Sequence, residues 1–447
     1  MLEKLKKINI GWYLIMLFVF LLPFHAVFVT YLKCKLWIDT NLLRFWKEIV
    51  IVFLMIWVAF NIFKKHWLNL KPLYKDNYLL WTITAFILCS FVYIFFPYFV
   101  IKISNLLGFK YDVFFIFALL IWMYLNFIKI NFENILKTVF ASAWVILIIF
   151  LPWYLSWDIE KSSQLLGYSK QVSTYEANAC ITFSQNVTGW HNRFQWSFWD
   201  PIRFSVFLTI FYFMFVGYFL STNYKNPKTK YVIIWIWTIL VLTSIFFSYT
   251  KTSMLGFLFW TVLFIYLVRK IIYKKTITKR FLITLWVLAL LPILYLATFK
   301  RDLFLHPEAV LWRLDNFSES IDMYYYNPIW YGLWIAWPAT QLWTSSDSTL
   351  SYWVVKFLPE NWYIQVFLEQ SLLWLWLFLW ILWVMWNYLY KIAVRKKDFL
   401  SIWIFVSFVS ILFMANFTHI FEEAATSYTL FMLLWAYIVN NYKKQKL

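Results

Sequence analysis

The residues best suited to chemistry stand just outside or just inside long apolar runs. Arg193 and Arg203 flank the turn-forming pair Asp200-Pro201, directly before an apolar run. Guanidinium forks at a membrane surface suit phosphate or pyrophosphate, because each can donate two parallel hydrogen bonds. An arginine at such a boundary also serves as a snorkelling anchor. Lys251 is the only charge in the short turn between two further runs (247–256). It is either an anion ligand or a solvated turn residue. A third group is spread over 300–362 and includes His306, Arg313, Asp315, Glu319 and the sequence Pro359-Glu360-Asn361. Glu369 follows, a turn or two inside a run, where a carboxylate is costly unless paired. That makes it a functional candidate, with a buried ion pair to an arginine as the structural alternative.

The elements that must hold these residues are transmembrane helices. The chain is 63% hydrophobic and 14% charged with a mean hydropathy of +0.67. Runs long enough to cross a bilayer core of about 30 Å recur along it. The pattern predicts twelve crossings, at 10–31, 44–63, 78–97, 113–128, 135–156, 203–221, 231–249, 252–268, 281–299, 363–390, 399–416 and 427–441. The first lacks a small-residue cleavage site and is read as a retained helix. No linker or internal repeat divides the chain, so 1–447 is taken as one all-α polytopic membrane domain.

Charge sets the orientation. The segments on the side of the termini hold 25 of the 40 Lys and Arg and a net charge of +21, whereas the rest of the chain carries 15 basic and 17 acidic residues. This is the positive-inside pattern, and it predicts cytoplasmic termini in the cytoplasmic membrane. The two long loops, 157–202 and 300–362, then face outward, where a membrane enzyme with short inner loops would carry its site. A nucleic-acid partner is excluded, because the basicity forms no patch on a folded domain. The five histidines are scattered and give no metal-ligand spacing. Cys34, Cys89 and Cys180 form no spacing motif; unpaired residues are the expectation, with a disulfide between Cys34 and Cys180, in different outward loops, as the alternative.

The glycine count is anomalous. Seven glycines stand among 447 residues, beside 31 tryptophans; about 7% glycine is usual. Trp376, Trp380 and Trp383 recur through the depth of one run at the spacing of small-residue packing faces, and Gly256 and Trp260 repeat the spacing. Many of these tryptophans are therefore expected to stand at glycine positions. That is the outcome when a UGA codon read as glycine by the organism is translated as tryptophan.

With glycine restored, 327–340 reads Asn-Pro-Ile-Gly-Tyr-Gly-Leu-Gly-Ile-Ala-Gly-Pro-Ala-Thr. The chain then resembles the O-antigen ligase and O-antigen polymerase family of bacterial membrane glycosyltransferases. Four motifs carry the likeness: Arg193 to Pro201, Lys251 to Gly256, Pro328 to Trp334, and Pro359 to Glu369. The resemblance implies metal-independent transfer, without a cofactor, of glycan from an undecaprenyl-pyrophosphate donor to a glycan or lipid acceptor, as in lipopolysaccharide biosynthesis. It implies Arg193, Arg313 and Lys251 as pyrophosphate ligands, with Arg203, Asn361 and Glu369 in support. Lys251 stands where the family usually has arginine, and Glu360 stands at the position of the family's loop histidine. A carboxylate of raised pKa can serve as base there. The competing expectation is a transporter or flippase of lipid-linked glycan or another anionic substrate, which would need charge near mid-membrane and broken helices.

Overall fold

An apolar chain without water to satisfy its backbone has the helix as its local solution, since every N–H finds a carbonyl within the segment. The computed structural model describes residues 10–38, 45–66, 78–95, 103–125, 132–155, 201–222, 227–276 and 361–443, with short pieces within 186–198 and 278–325. Helices occupy eleven of the twelve predicted segments. The twelfth, 281–299, lies almost wholly outside the described residues.

In chain order the helices are α1 (Ile10–Leu21), α2 (His25–Lys35), α3 (Trp46–His66), α4 (Tyr78–Tyr93), α5 (Ile103–Leu125), α6 (Phe132–Leu155), α7 (Pro201–Ser221), α8 (Pro227–Phe247), α9 (Lys251–Leu267), α10 (Trp362–Lys396), α11 (Phe399–Met414) and α12 (Ala424–Lys443). α1 and α2 are joined by a 3-10 turn at Leu22–Phe24 and act as one rod. The only strands among the described residues are the two-residue pair Asn186–Val187 and His191–Asn192. Among the described residues six helical segments are long and apolar enough to cross a membrane, and α4, α11 and α12 contribute shorter apolar helices. The protein is thus an all-α membrane protein.

Local signals set the boundaries. Pro201 opens α7 at a position where its missing N–H costs nothing. Asn361 caps α10 by accepting from the Tyr363 and Ile364 N–H groups at 2.9 and 3.2 Å. Asp398 caps α11 through the Ser401 N–H, and Lys397 closes α10 in a left-handed conformation.

α7 is buried along most of its length and forms the centre of the bundle. It lies against α11, where Ser407 Oγ donates to the Ile210 carbonyl at 3.0 Å. α5 packs against α12, with Phe115 and Phe431 rings 5.1 Å apart. The bundle has two distinct ends. At one, Leu400 N–H donates to Ser221 Oγ, Phe264 meets Phe399, and Lys396 lies over Tyr437. Arg269, Lys270, Arg395 and Lys396 close their helices at this basic end. At the other, the starts of α3, α7, α9, α10 and α12 gather.

Cys34 corrects the sequence reading, which took it as unpaired: it is disulfide-bonded, whereas Cys89 is a free thiol. Its helix α2 begins beside the start of α3, where Trp46 Nε1 donates to His25 Nδ1 at 2.8 Å. The bridge therefore belongs to the end opposite the basic one.

Several tryptophans sit where a large side chain fits poorly. Trp37 follows the end of α2 with φ 54°, a conformation natural to glycine. The indole of Trp403 stacks on Phe264 with centroids 3.4 Å apart, and it fills the space beside Gly217 so closely that a methyl there would collide with it. Trp374 and Phe86 cross edge to face at 3.7 Å, below the usual aromatic range of about 4.5–7 Å. The Nε1 groups of Trp237, Trp260, Trp362, Trp374, Trp403 and Trp435 are buried without a hydrogen-bond partner among the described residues. The face of Trp376, Trp380 and Trp383 differs from expectation. It is exposed, with Trp376 stacked on Trp380 and Trp380 tilted against Trp383.

Candidate functional site

Two helix starts meet at the end opposite the basic one. Ser205 in the first turn of α7 and Ser253 in the first turn of α9 share a hydrogen bond of 2.7 Å. Thr250 Oγ1 donates to the Pro201 carbonyl at 3.4 Å. Each helix start carries a partial positive charge from its unsatisfied N–H groups. A basic side chain is electrostatically misplaced there, yet each helix has one: Arg203 in α7 and Lys251 as the first residue of α9, with no acidic residue in either first turn. Among the described residues Glu423 answers Arg203 from outside, its Oε2 lying 3.4 Å from Arg203 Nη1. Two helix starts and two basic side chains gathered here form a candidate anion well, an arrangement that suits phosphate oxygens.

A chain of buried polar groups runs inward from Arg203. His419, in the turn between α11 and α12, sets its Nδ1 against the Gln365 side-chain carbonyl. Gln365 in turn donates from Nε2 to Glu369 Oε2 at 3.4 Å. Glu369 meets Asp112 of α5, and Gln370 Nε2 donates to Asp112 Oδ2. A second cluster adjoins it, where Lys110 Nζ lies 3.0 Å from Glu48 Oε1. Burial, and secondarily the Arg203 charge, push the His419 imidazole down to about 3. His419 is therefore neutral near pH 7. Because Arg203 opposes its protonation, it is a hydrogen-bonding partner and a poor proton acceptor.

Of the site residues expected from the sequence, Arg203, Lys251, Asn361 and Glu369 are described and lie toward this end; Asp315 and Glu319 are described only within short pieces. Arg203 is not a free anchor in the headgroup region, since it pairs with Glu423. Asn361 has a defined task as the cap of α10. Glu369 is 1% exposed and is joined to the polar chain through Gln365. Arg193, Arg313 and Glu360 lie outside the described residues, as does nearly all of the loops 157–202 and 300–362. Asp112, Gln365, Gln370, His419 and Glu423 were not picked out by sequence reasoning. For Asp112 the signal existed, as an acid inside an apolar stretch. No protein-family model matches the chain, and no curated protein matches it.

Proposed function

We propose that the protein is a membrane glycosyltransferase of the O-antigen ligase or O-antigen polymerase type. It moves glycan from a polyprenyl-pyrophosphate donor to an acceptor hydroxyl at the outer face of the cytoplasmic membrane. The observation that carries this reading is the convergence of Arg203 and Lys251 at two adjoining helix starts. A leaving pyrophosphate carries its charge on oxygens, and cations with oriented N–H groups stabilise that charge as it develops. In the reaction the acceptor oxygen bonds to the anomeric carbon while the bond from that carbon to the pyrophosphate oxygen breaks. The bonding electrons leave with the polyprenyl pyrophosphate, and the acceptor's proton passes to a base. Glu360, one residue before the Asn361 cap, is the base in this reading. The outward assignment of this end draws support from the basic residues at the opposite end and from the Cys34 disulfide, a bond at home in oxidising compartments.

The test is transfer of labelled glycan from a lipid-linked donor by the purified chain in liposomes. A charge-assisted hydrogen bond is worth about 1.5–3 kcal/mol, so Lys251→Ala should weaken donor use tenfold or more. Lys251→Arg should match or exceed the parent. Donor use unchanged in Lys251→Ala would remove the turn from the site. A second reading, a transporter or flippase of an anionic lipid-linked substrate, is favoured by the break in α10 at Ser371 beside buried Asp112. Movement of labelled donor across the bilayer without transfer would establish it in place of the enzyme.

A further inference from the structure

α10 is two helices in one. Ser371 has φ 78° and ψ 172°, a region that non-glycine residues occupy only under constraint. The two residues before the break, Glu369 and Gln370, are 1% and 0% exposed. Facing them from α5 is Asp112, also at 0%. Gln370 Nε2 donates to Asp112 Oδ2, and the two carboxyls are themselves in hydrogen-bond contact. Carboxyls this close do not both carry charge, so they hold one proton between them or share another cation.

The tally of donors and acceptors decides what the site lacks. Asp112 Oδ1 and Gln370 Oε1 are buried without a hydrogen-bond partner among the described residues. Among the described residues, two nearby basic groups are engaged elsewhere: Lys110 with Glu48 of α3, and Arg203 of α7 with Glu423 at the head of α12. Tyr93 of α4 turns its hydroxyl to Ser371 Oγ at 3.1 Å, and His419 turns Nδ1 to Gln365. Tyr428 of α12 and Lys47 of α3 lie with the Glu48 cluster. Buried oxygens in excess of donors cost free energy until something positive meets them.

We propose that Asp112, Glu369 and Gln370 form a buried monovalent-cation site at the break of α10, filled by a proton or by sodium. Oxygen-only ligation by two carboxyls and an amide suits a hard cation of single charge. Its occupancy ties the first half of α10 to α5, so the hinge at Ser371 is held when the site is filled and released when it is empty. The site is distinct from the anion well at Lys251 and stands under either reading of the overall activity.

The experiment uses the full chain in nanodiscs. Infrared difference spectra of the parent follow the protonated-carboxyl band, first as pH is raised without sodium, then as sodium replaces choline at constant pH and ionic strength. For a proton site the band is lost with rising pH and ignores sodium. For a sodium site it is lost on adding sodium, and radiolabelled sodium binds at one per chain. In both arms Asp112→Asn, which keeps the shape and removes the charge, abolishes the response, as does Glu369→Gln. A parent whose band responds to neither variable, or a response that survives Asp112→Asn, overturns the proposal and leaves these oxygens holding ordered water only. The measurement on the parent decides the matter even if a variant fails to fold.

Discussion

Trp403→Gly should stabilise the protein, a result opposite in sign to that expected for a native core tryptophan. Removing a large buried aromatic from a well-packed core costs about 3–5 kcal/mol. At 403 the indole is 4% exposed, stacked on Phe264 at 3.4 Å, jammed beside Gly217, and has an unpaired Nε1. A buried donor without a partner costs about 1–3 kcal/mol, and an overpacked site adds a further cost of about 1–3 kcal/mol. Replacement by glycine removes both terms and lets α7 and α11 approach at a small-residue contact, Gly217 against position 403. Trp37 gives a cleaner check, because its side chain is 87% exposed and makes little packing to lose. The left-handed backbone at φ 54° costs a non-glycine residue about 1–2 kcal/mol, so Trp37→Gly should gain about that much. The assay is thermal unfolding of both variants in detergent, beside peptide mass spectrometry of the protein from its own organism. That spectrum should lack the indole-methyl mass at 37, 374 and 403. UGG codons at those positions, or a Trp403→Gly protein that loses stability by the native-core amount, would refute the reasoning.

Other outcomes follow from the same geometry. Glu360→Gln keeps shape without basicity and should lower turnover by about 10²–10⁴-fold while leaving donor binding intact; unchanged turnover, measured beside thermal stability, would dismiss Glu360 as the base. His419 has a folded-state value lowered from 6.5 to about 3, so the unfolded chain binds its proton first as pH falls. Stability from this group is complete above about pH 6.5 and declines toward pH 3, by up to about 1.4 kcal/mol per pH unit. His419→Gln should flatten that part of the curve, and an unchanged pH profile would contradict the assignment. With Cys34 bonded and Cys89 free, Cys180 is the partner the sequence offers; non-reducing peptide mapping should find the 34–180 link, and free thiol at Cys34 would exclude it.

How far the sequence reaches depends on the physical range of each signal. Crossings are legible because hydropathy over some twenty residues is a local sum, and eleven of the predicted segments carry helices with ends shifted by a few residues. The largest shift, a start at 103 where 113 was expected, came from Lys110 and Asp112, which a hydropathy sum counts as surface. The structure answers both charges with partners from other helices, Glu48 and Gln370. Pairings between α3, α5, α10 and α12 are separated by tens to hundreds of residues and leave no periodic trace. For the same reason Arg203 was ambiguous between anchor and ligand until Glu423 supplied its partner.

The polar chain from Arg203 to Asp112 also explains why a site built this way resists motif reading. Its members come from four different segments, and each alone is an ordinary residue for its place: a polar residue near a helix start, a histidine in a turn, a glutamine in an apolar run. What distinguishes them is that they are buried together. In a membrane interior a lone polar side chain is expensive, and the cost falls only when partners satisfy it. Gln365 shows the economy of the arrangement, because one amide uses its oxygen toward His419 and its nitrogen toward Glu369. Replacing Gln365 with leucine would remove a partner from both neighbours, whereas glutamate would place two carboxyls one helical turn apart. Glutamine satisfies both ends without adding charge, so the chain reaches inward from the anion well to the break in α10 while its net charge stays low.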